Sequence, residues 1–169
     1  PASARAIALL RQGVSSPAPN DPALRAELTQ LDARLEAAYG QAKFCVAGTA
    51  GCEGVDVLGE RLGATRDYAE ALSLWTGWHD QGAQMRKDYE RFVELANQGA
   101  RELGYADMGA MWRSGYDMPP EAFTAVTETL WNQVKPLYEA MHCYTRTQLA
   151  KQYGEDKVKP GEPIPAHLL

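Results

Sequence analysis

The feature that most constrains this chain is the spacing of its apolar residues, which recur at steps of three and four over long stretches and nowhere alternate. Leu24, Leu28, Leu31, Leu35 and Tyr39 follow one another at four, three, four and four, which draws one stripe on a helix of 3.6 residues per turn. Asn20-Asp21 ahead of Pro22 offers a capping side chain and a proline for the first turn, so a helix is expected over residues 22–44. Over 66–103, Tyr68, Leu72, Trp75, Trp78, Met85, Tyr89, Phe92 and Ala96 stay near one face, with Gly77 and Gly82 as weak points and Gly104 as the stop. A short helix is expected within 106–116. Pro119-Pro120 then opens a long one carrying Phe123, Val126, Leu130, Val134, Leu137, Met141 and Tyr144. Pro136 removes one backbone hydrogen bond from it and should bend it, and Gly154 is placed to end it. Segment 45–63, with five glycines, reads as a loop or short hairpin, and the tail 159–169 begins extended and turns apolar after Pro165. The expected fold is all-α, with several long helices.

A chain of 169 residues suffices for one domain with a real core. Its net charge of −5, with no Lys/Arg cluster, argues against nucleic acid or an anionic membrane as partner, since both require a basic patch. No apolar stretch approaches the length of a transmembrane helix, and residues 1–5 lack the charged and apolar regions of a signal peptide.

Cys45 and Cys52 enclose Val46-Ala47-Gly48-Thr49-Ala50-Gly51, a small loop able to bring two sulfurs together. Closing so short a loop contributes about 2–3 kcal/mol in the chain-entropy model. Two unconnected thiols is the alternative; a metal site is disfavoured because no second Cys or His pair lies nearby. The bonded form is the expectation, and with it an oxidising compartment and a free Cys143. His79, His142 and His167 are the only histidines, and none are four apart, so no H-E-x-x-H helix exists here. Glu139 and His142 make one Glu-x-x-His step, where a di-iron carboxylate bundle needs two such steps and two more glutamates. Residue chemistry alone gives a helical domain with no visible catalytic site.

Longer stretches are more specific. Residues 92–109 (FVELANQGARELGYADMG) lead into Trp112-Arg113-Ser114-Gly115-Tyr116, followed by Val134-Lys135-Pro136-Leu137-Tyr138, His142, Tyr144 and Gly161-Glu162-Pro163-Ile164-Pro165-Ala166-His167-Leu168-Leu169. Together with Trp75-Thr76-Gly77-Trp78-His79-Asp80 and the Cys45…Cys52 pair, these words resemble, in order, the angiotensin-converting enzyme family of zinc peptidyl-dipeptidases and its bacterial members. The resemblance covers almost the whole chain and is weakest over about the first twenty residues. It implies a two-lobed helical metallopeptidase with a central channel, of which residues 1–169 are an interior segment. The lid helices would precede Pro1, and the zinc-binding half would follow Leu169. It also implies that zinc polarises the scissile carbonyl and activates a water, releasing dipeptides from the C-termini of peptide substrates. Zinc would be held by residues outside this chain, and the location would be periplasmic or secreted.

Within the segment, the resemblance assigns Asp56 to the S1′ pocket, Trp112 and Ser114 to the non-primed channel wall, and Tyr116 to a chloride site. His79 stands where animal members carry a chloride-binding arginine, a poor exchange for an anion. The helix from Pro119-Pro120 is expected to need partners from the missing remainder of the peptidase. A free-standing helical scaffold without enzymatic activity is the rival reading.

Overall fold

The computed structural model describes residues 2–13, 16–46, 51–116 and 118–169. Among them are six α-helices: α1 (Ala2–Gln12), α2 (Pro22–Gln41), α3 (Val55–Ala64), α4 (Tyr68–Glu102), α5 (Met108–Arg113) and α6 (Pro120–Tyr153). The only sheet among the described residues is a hairpin of β1 (Phe44–Cys45) and β2 (Cys52–Glu53), paired antiparallel with Cys45 opposite Cys52. The all-α expectation holds. The chain divides into two compact units, residues 1–37 with 85–131 and residues 38–84 with 132–169, so α2, α4 and α6 contribute to both.

In the first unit the core is Leu28, Leu31, Leu95, Ala96, Ala100, Met108 and Met111, with Leu24, Phe92 and Tyr105 packed against it. The expected cap is present: the Asp21 carboxylate accepts from the backbone N–H groups of Ala23 and Leu24 at 2.8 and 3.1 Å, satisfying donors the first turn leaves open. α4 ends at Gly104, whose φ of 94° lets Tyr105 N–H reach the Ala100 carbonyl and Gly104 N–H reach that of Arg101, the double return of a Schellman end. Tyr105 is thereby turned onto the core. Gly99 has a different role. A Cβ there would collide with the Pro17 carbonyl and the Ala18 backbone, so the segment carrying the buried Pro17 and Pro19 lies directly on α4. The bidentate pair of Arg91 on Glu27, at 2.8 and 2.9 Å, ties α4 to α2.

In the second unit the short hairpin forms as expected, but the rest of 45–63 does not stay a loop. Residues from Val55 form α3, and Leu58 on it is buried. Gly59 and Gly63 have no atom within 4 Å of where a Cβ would stand; they lower helix propensity without preventing it, because tertiary burial of one face outweighs it. Arg61 fastens α3 on both sides, to Glu53 at 2.9 Å and to Glu70 at 2.8 Å. Phe44 lies against the backbone of α4 at Gly77, where a Cβ would overlap its ring.

The face of α4 also differs from the expectation. Its buried residues are the small or branched Ala71, Leu74, Gly77, Leu95, Ala96, Gly99 and Ala100; of the expected stripe only Ala96 is among them, while Leu72 and Tyr89 are exposed. Helix α2 stops at Gln41 rather than 44, and α6 continues through Pro136. No residue of α6 is buried. On its stretch in the first unit Val126, Leu130 and Trp131 are exposed; in the second unit Val134, Leu137, Tyr138, Met141 and Tyr144 are.

Candidate functional site

The residues singled out by resemblance fall into the two units. In the first, α5 starts on Asp107, whose side chain accepts from the backbone N–H of Ala110 at 2.7 Å. The Asn97 side-chain carbonyl accepts the Met108 N–H at 3.0 Å. The helix is thus pinned at its first turn by two side chains, with Met108 and Met111 driven into the core. That rotation leaves Trp112 outward and 55 % exposed. The Ser114 hydroxyl donates to the Met111 carbonyl at 2.6 Å, which closes α5 into the 3-10 turn Ser114–Tyr116. Tyr116 rests on Phe123 with ring centroids 4.4 Å apart and stays exposed. One short helix and its terminal turn therefore present Trp112, Ser114 and Tyr116 together.

In the second unit Asp56 stands exposed in the first turn of α3, where a carboxylate is favoured by the partial positive charge of the helix start. Beside it, Val55, Leu58, Leu62, Leu74, Trp75, Trp78 and His79 line an apolar cavity of about 160 Å³. Trp78 is held edge-on by Tyr39, centroids 5.7 Å apart. The His79 ring stacks on Trp75 at 3.8 Å, and its Nδ1 meets the Trp75 carbonyl at 2.6 Å. A carbonyl can only accept, so Nδ1 carries a proton.

Cys45 and Cys52 are bonded to each other, and Cys143 is free and exposed. The four residues Ala47, Gly48, Thr49 and Ala50 of the expected loop lie outside the described residues. Among the described residues no three His, Cys, Asp or Glu side chains come together as a metal site. The Glu-x-x-His step is otherwise engaged: Glu139 faces Lys135 at 3.8 Å, and His142 Nδ1 accepts from Arg146 at 3.1 Å. These residues do not fit zinc. His167 is packed, 8 % exposed, with Tyr68 edge-on to it at 4.7 Å. Burial holds its pKa below the ordinary imidazole value. Among the described residues no helix is long and apolar enough to cross a membrane.

The apolar cavity beside Asp56 was not foreseen, because it needs α3, which the glycines concealed. Val55, Leu58 and Leu62 at three- and four-residue steps were the available signal.

Comparison with known proteins gives this geometry a lineage. A family model described as angiotensin-converting enzyme, peptidase family M2, matches residues 1–169. The angiotensin-converting enzyme of Rattus norvegicus is 38 % identical over 148 residues, 86 % of this chain and 11 % of that protein. That of Bos taurus is 37 % identical over 156 residues, 90 % of this chain and 12 % of that protein. The angiotensin-converting enzyme of Theromyzon tessulatum is 35 % identical over 148 residues, 85 % of this chain and 24 % of that protein. The chain thus spans about a tenth of the length of the first of these relatives and a quarter of the last. With the whole chain matched and these identities sustained across it, the chain belongs to the angiotensin-converting enzyme family of peptidases.

Proposed function

We propose that this chain is an interior segment of a secreted or periplasmic zinc peptidyl-dipeptidase, supplying channel wall and scaffold while residues outside it hold the metal. The observation that carries the reading is the family match over the whole chain. Zinc, when bound in the parent protein, would supply Lewis-acid activation of the scissile bond; no residue of this chain is assigned a step on it. The chain's own contribution is to bind and orient. Asp56, exposed in the first turn of α3, would favour a basic group on the primed side of the substrate. Trp112 and Ser114 would line the non-primed side, and the Tyr116 hydroxyl would donate to chloride.

The exposed apolar residues of α6 support the fragment reading. Leu137 and Met141 are 65 % and 61 % exposed, a surface that in the parent would be covered by the remainder of the peptidase. The experiment is to express the reading frame extended in both directions and assay release of C-terminal dipeptides with and without a zinc chelator. Chelator-sensitive dipeptide release is expected. An extended protein with no such activity would favour the scaffold reading. In the active protein, Asp56→Asn should weaken a lysine-bearing inhibitor more than its alanine analogue. Attraction across a partly wet channel is worth about 1–4 kcal/mol before desolvation is subtracted. Equal loss for both inhibitors would place the effect in folding.

A further inference from the structure

Helix α3 has little of its own to hold it. It is 10 residues long, below the roughly 12–15 at which an isolated helix becomes even marginal in water. Two of those residues are glycines, Gly59 and Gly63, which are poor helix formers. Its N-cap, Gly54, brings no side chain to the open N–H groups of the first turn. What holds α3 lies outside it. Leu58 is buried, and Arg61 reaches forward to Glu70 at 2.8 Å and back to Glu53 at 2.9 Å. The Glu70 carboxylate also accepts from the Thr65 hydroxyl at 2.6 Å.

Glu53 follows Cys52 directly and pairs in register with Phe44, while Cys45 pairs with Cys52. Each strand of this hairpin has only 2 residues, too few to persist by backbone bonds alone. The Phe44 ring lies against α4 at Gly77, and Glu53 carries the other strand to Arg61. The bond between Cys45 and Cys52 is the covalent link between these two anchors. Both cysteines are exposed, where a thiol in solution can reach them.

We propose that the Cys45–Cys52 bond is a redox latch on α3. Oxidised, it keeps Glu53 where Arg61 meets it, and α3 stays folded. Reduced, the hairpin opens and α3 loosens, while the core of the first unit persists. The reductant is a dithiol. One of its thiolates attacks a sulfur of the pair, giving a mixed disulfide and one cysteine thiolate. Its second thiol displaces the other cysteine, so the reagent leaves as a cyclic disulfide and its two protons end on Cys45 and Cys52. The loop enclosed by the bond is short, so opening it relaxes the unfolded chain less than opening a long loop would. Asp56 and the cavity-lining Val55, Leu58 and Leu62 all ride on α3, so the latch sets whether they are in place. It is independent of the peptidase reading, since it uses only contacts within this chain.

The test is amide hydrogen exchange by NMR on the 169-residue chain before and after dithiothreitol under native conditions, with a denaturing thiol count on each sample. The count should rise from one thiol to three. Amides of Leu58, Gly59 and Leu62 should then exchange about tenfold faster or more, while those of Leu95, Ala96 and Ala100 stay within about twofold. Reoxidation should restore the slow exchange, and Cys45→Ser with Cys52→Ser should match the reduced chain whether or not dithiol is present. Glu53→Gln keeps the bond but removes the ion pair. It should show fast α3 exchange while still oxidised, and little further change on reduction. A thiol count that stays at one overturns the proposal, as does slow α3 exchange at a count of three. Equal acceleration at Leu95, Ala96 and Ala100 overturns it too, because the bond then stabilises the whole chain rather than α3. A full second acceleration on reducing Glu53→Gln refutes the route through Glu53.

Discussion

Two glycines of α4 allow steric cost to be separated from helix propensity. At Gly82 a Cβ would meet nothing within 4 Å; at Gly99 it would stand 2.6 Å from the Pro17 carbonyl carbon and 2.8 Å from that of Ala18, with the Pro17 oxygen nearer still. Replacing either glycine by alanine in a helix interior gains about 0.8–1 kcal/mol of propensity. At residue 82 nothing opposes the gain, so Gly82→Ala should stabilise by about that amount. At residue 99 the opposing atoms are backbone and cannot swing aside. Pro17 and Pro19 are fully buried, and Asn20 N–H is held by the Glu102 carboxylate. Forcing an extra methyl into such a contact costs about 1–3 kcal/mol, and displacing the two prolines forfeits burial as well. Because the propensity gain is common to both variants, the difference between them reports the contact alone. At about 2–4 °C per kcal/mol for a chain of this size, Gly99→Ala should melt several degrees below Gly82→Ala. Thermal unfolding by circular dichroism, with urea midpoints as a second measure, makes the comparison. A Gly99→Ala variant as stable as Gly82→Ala would refute the close approach of residues 17–19 to α4.

The bonded pair Cys45–Cys52 leaves Cys143 as the one thiol, so a denaturing, non-reducing titration should find one per chain, and three would contradict it. His167 is buried and favours its neutral form; the unfolded chain therefore binds more protons below an ordinary imidazole pKa of about 6.5. Stability from this group is full above that pH and falls as pH drops below it, and His167→Phe should flatten the pH 5–7 part of a stability profile. An unchanged slope would assign that pH dependence elsewhere. Leu137 and Met141 already face solvent, so Leu137→Gln with Met141→Gln should leave the melting temperature of the 169-residue chain within about 1–2 °C, as surface changes do, while reducing self-association in sedimentation. In a longer protein that covers this face, the same pair should cost several kcal/mol, each buried apolar side chain being worth about 1.5–3.

The long helices were legible in the sequence because their caps and stripes agree. Asp21 caps α2, Gly104 ends α4, and Leu28 and Leu31 are buried as their spacing demands. Helix α3 was not, because Gly59 and Gly63 are the residues a loop would use. Its stability comes from the burial of Leu58 and the reach of Arg61 to Glu53 and Glu70, neither of which is local. On α4 the expected stripe is at least partly buried except at Leu72 and Tyr89, but its large residues hide the small ones, such as Gly99 and Ala100, that close packing near residues 96–100 selects. Site residues were legible only as family words. Trp112 and Tyr116 carry no periodicity of their own; they are exposed because the caps at Asn97 and Asp107 set the rotation of α5.

The contact of Phe44 with Gly77 joins two positions that are 33 residues apart into one volume. A lineage in which residue 77 gained even a methyl group would have to shrink the ring at 44, and one that shortened 44 would open a slot over α4 that residue 77 could then fill. Substitutions at the two positions should therefore appear together across descendants of this gene. Because residue 44 adjoins Cys45, loss of the disulfide in a branch should relax the constraint on 77 as well.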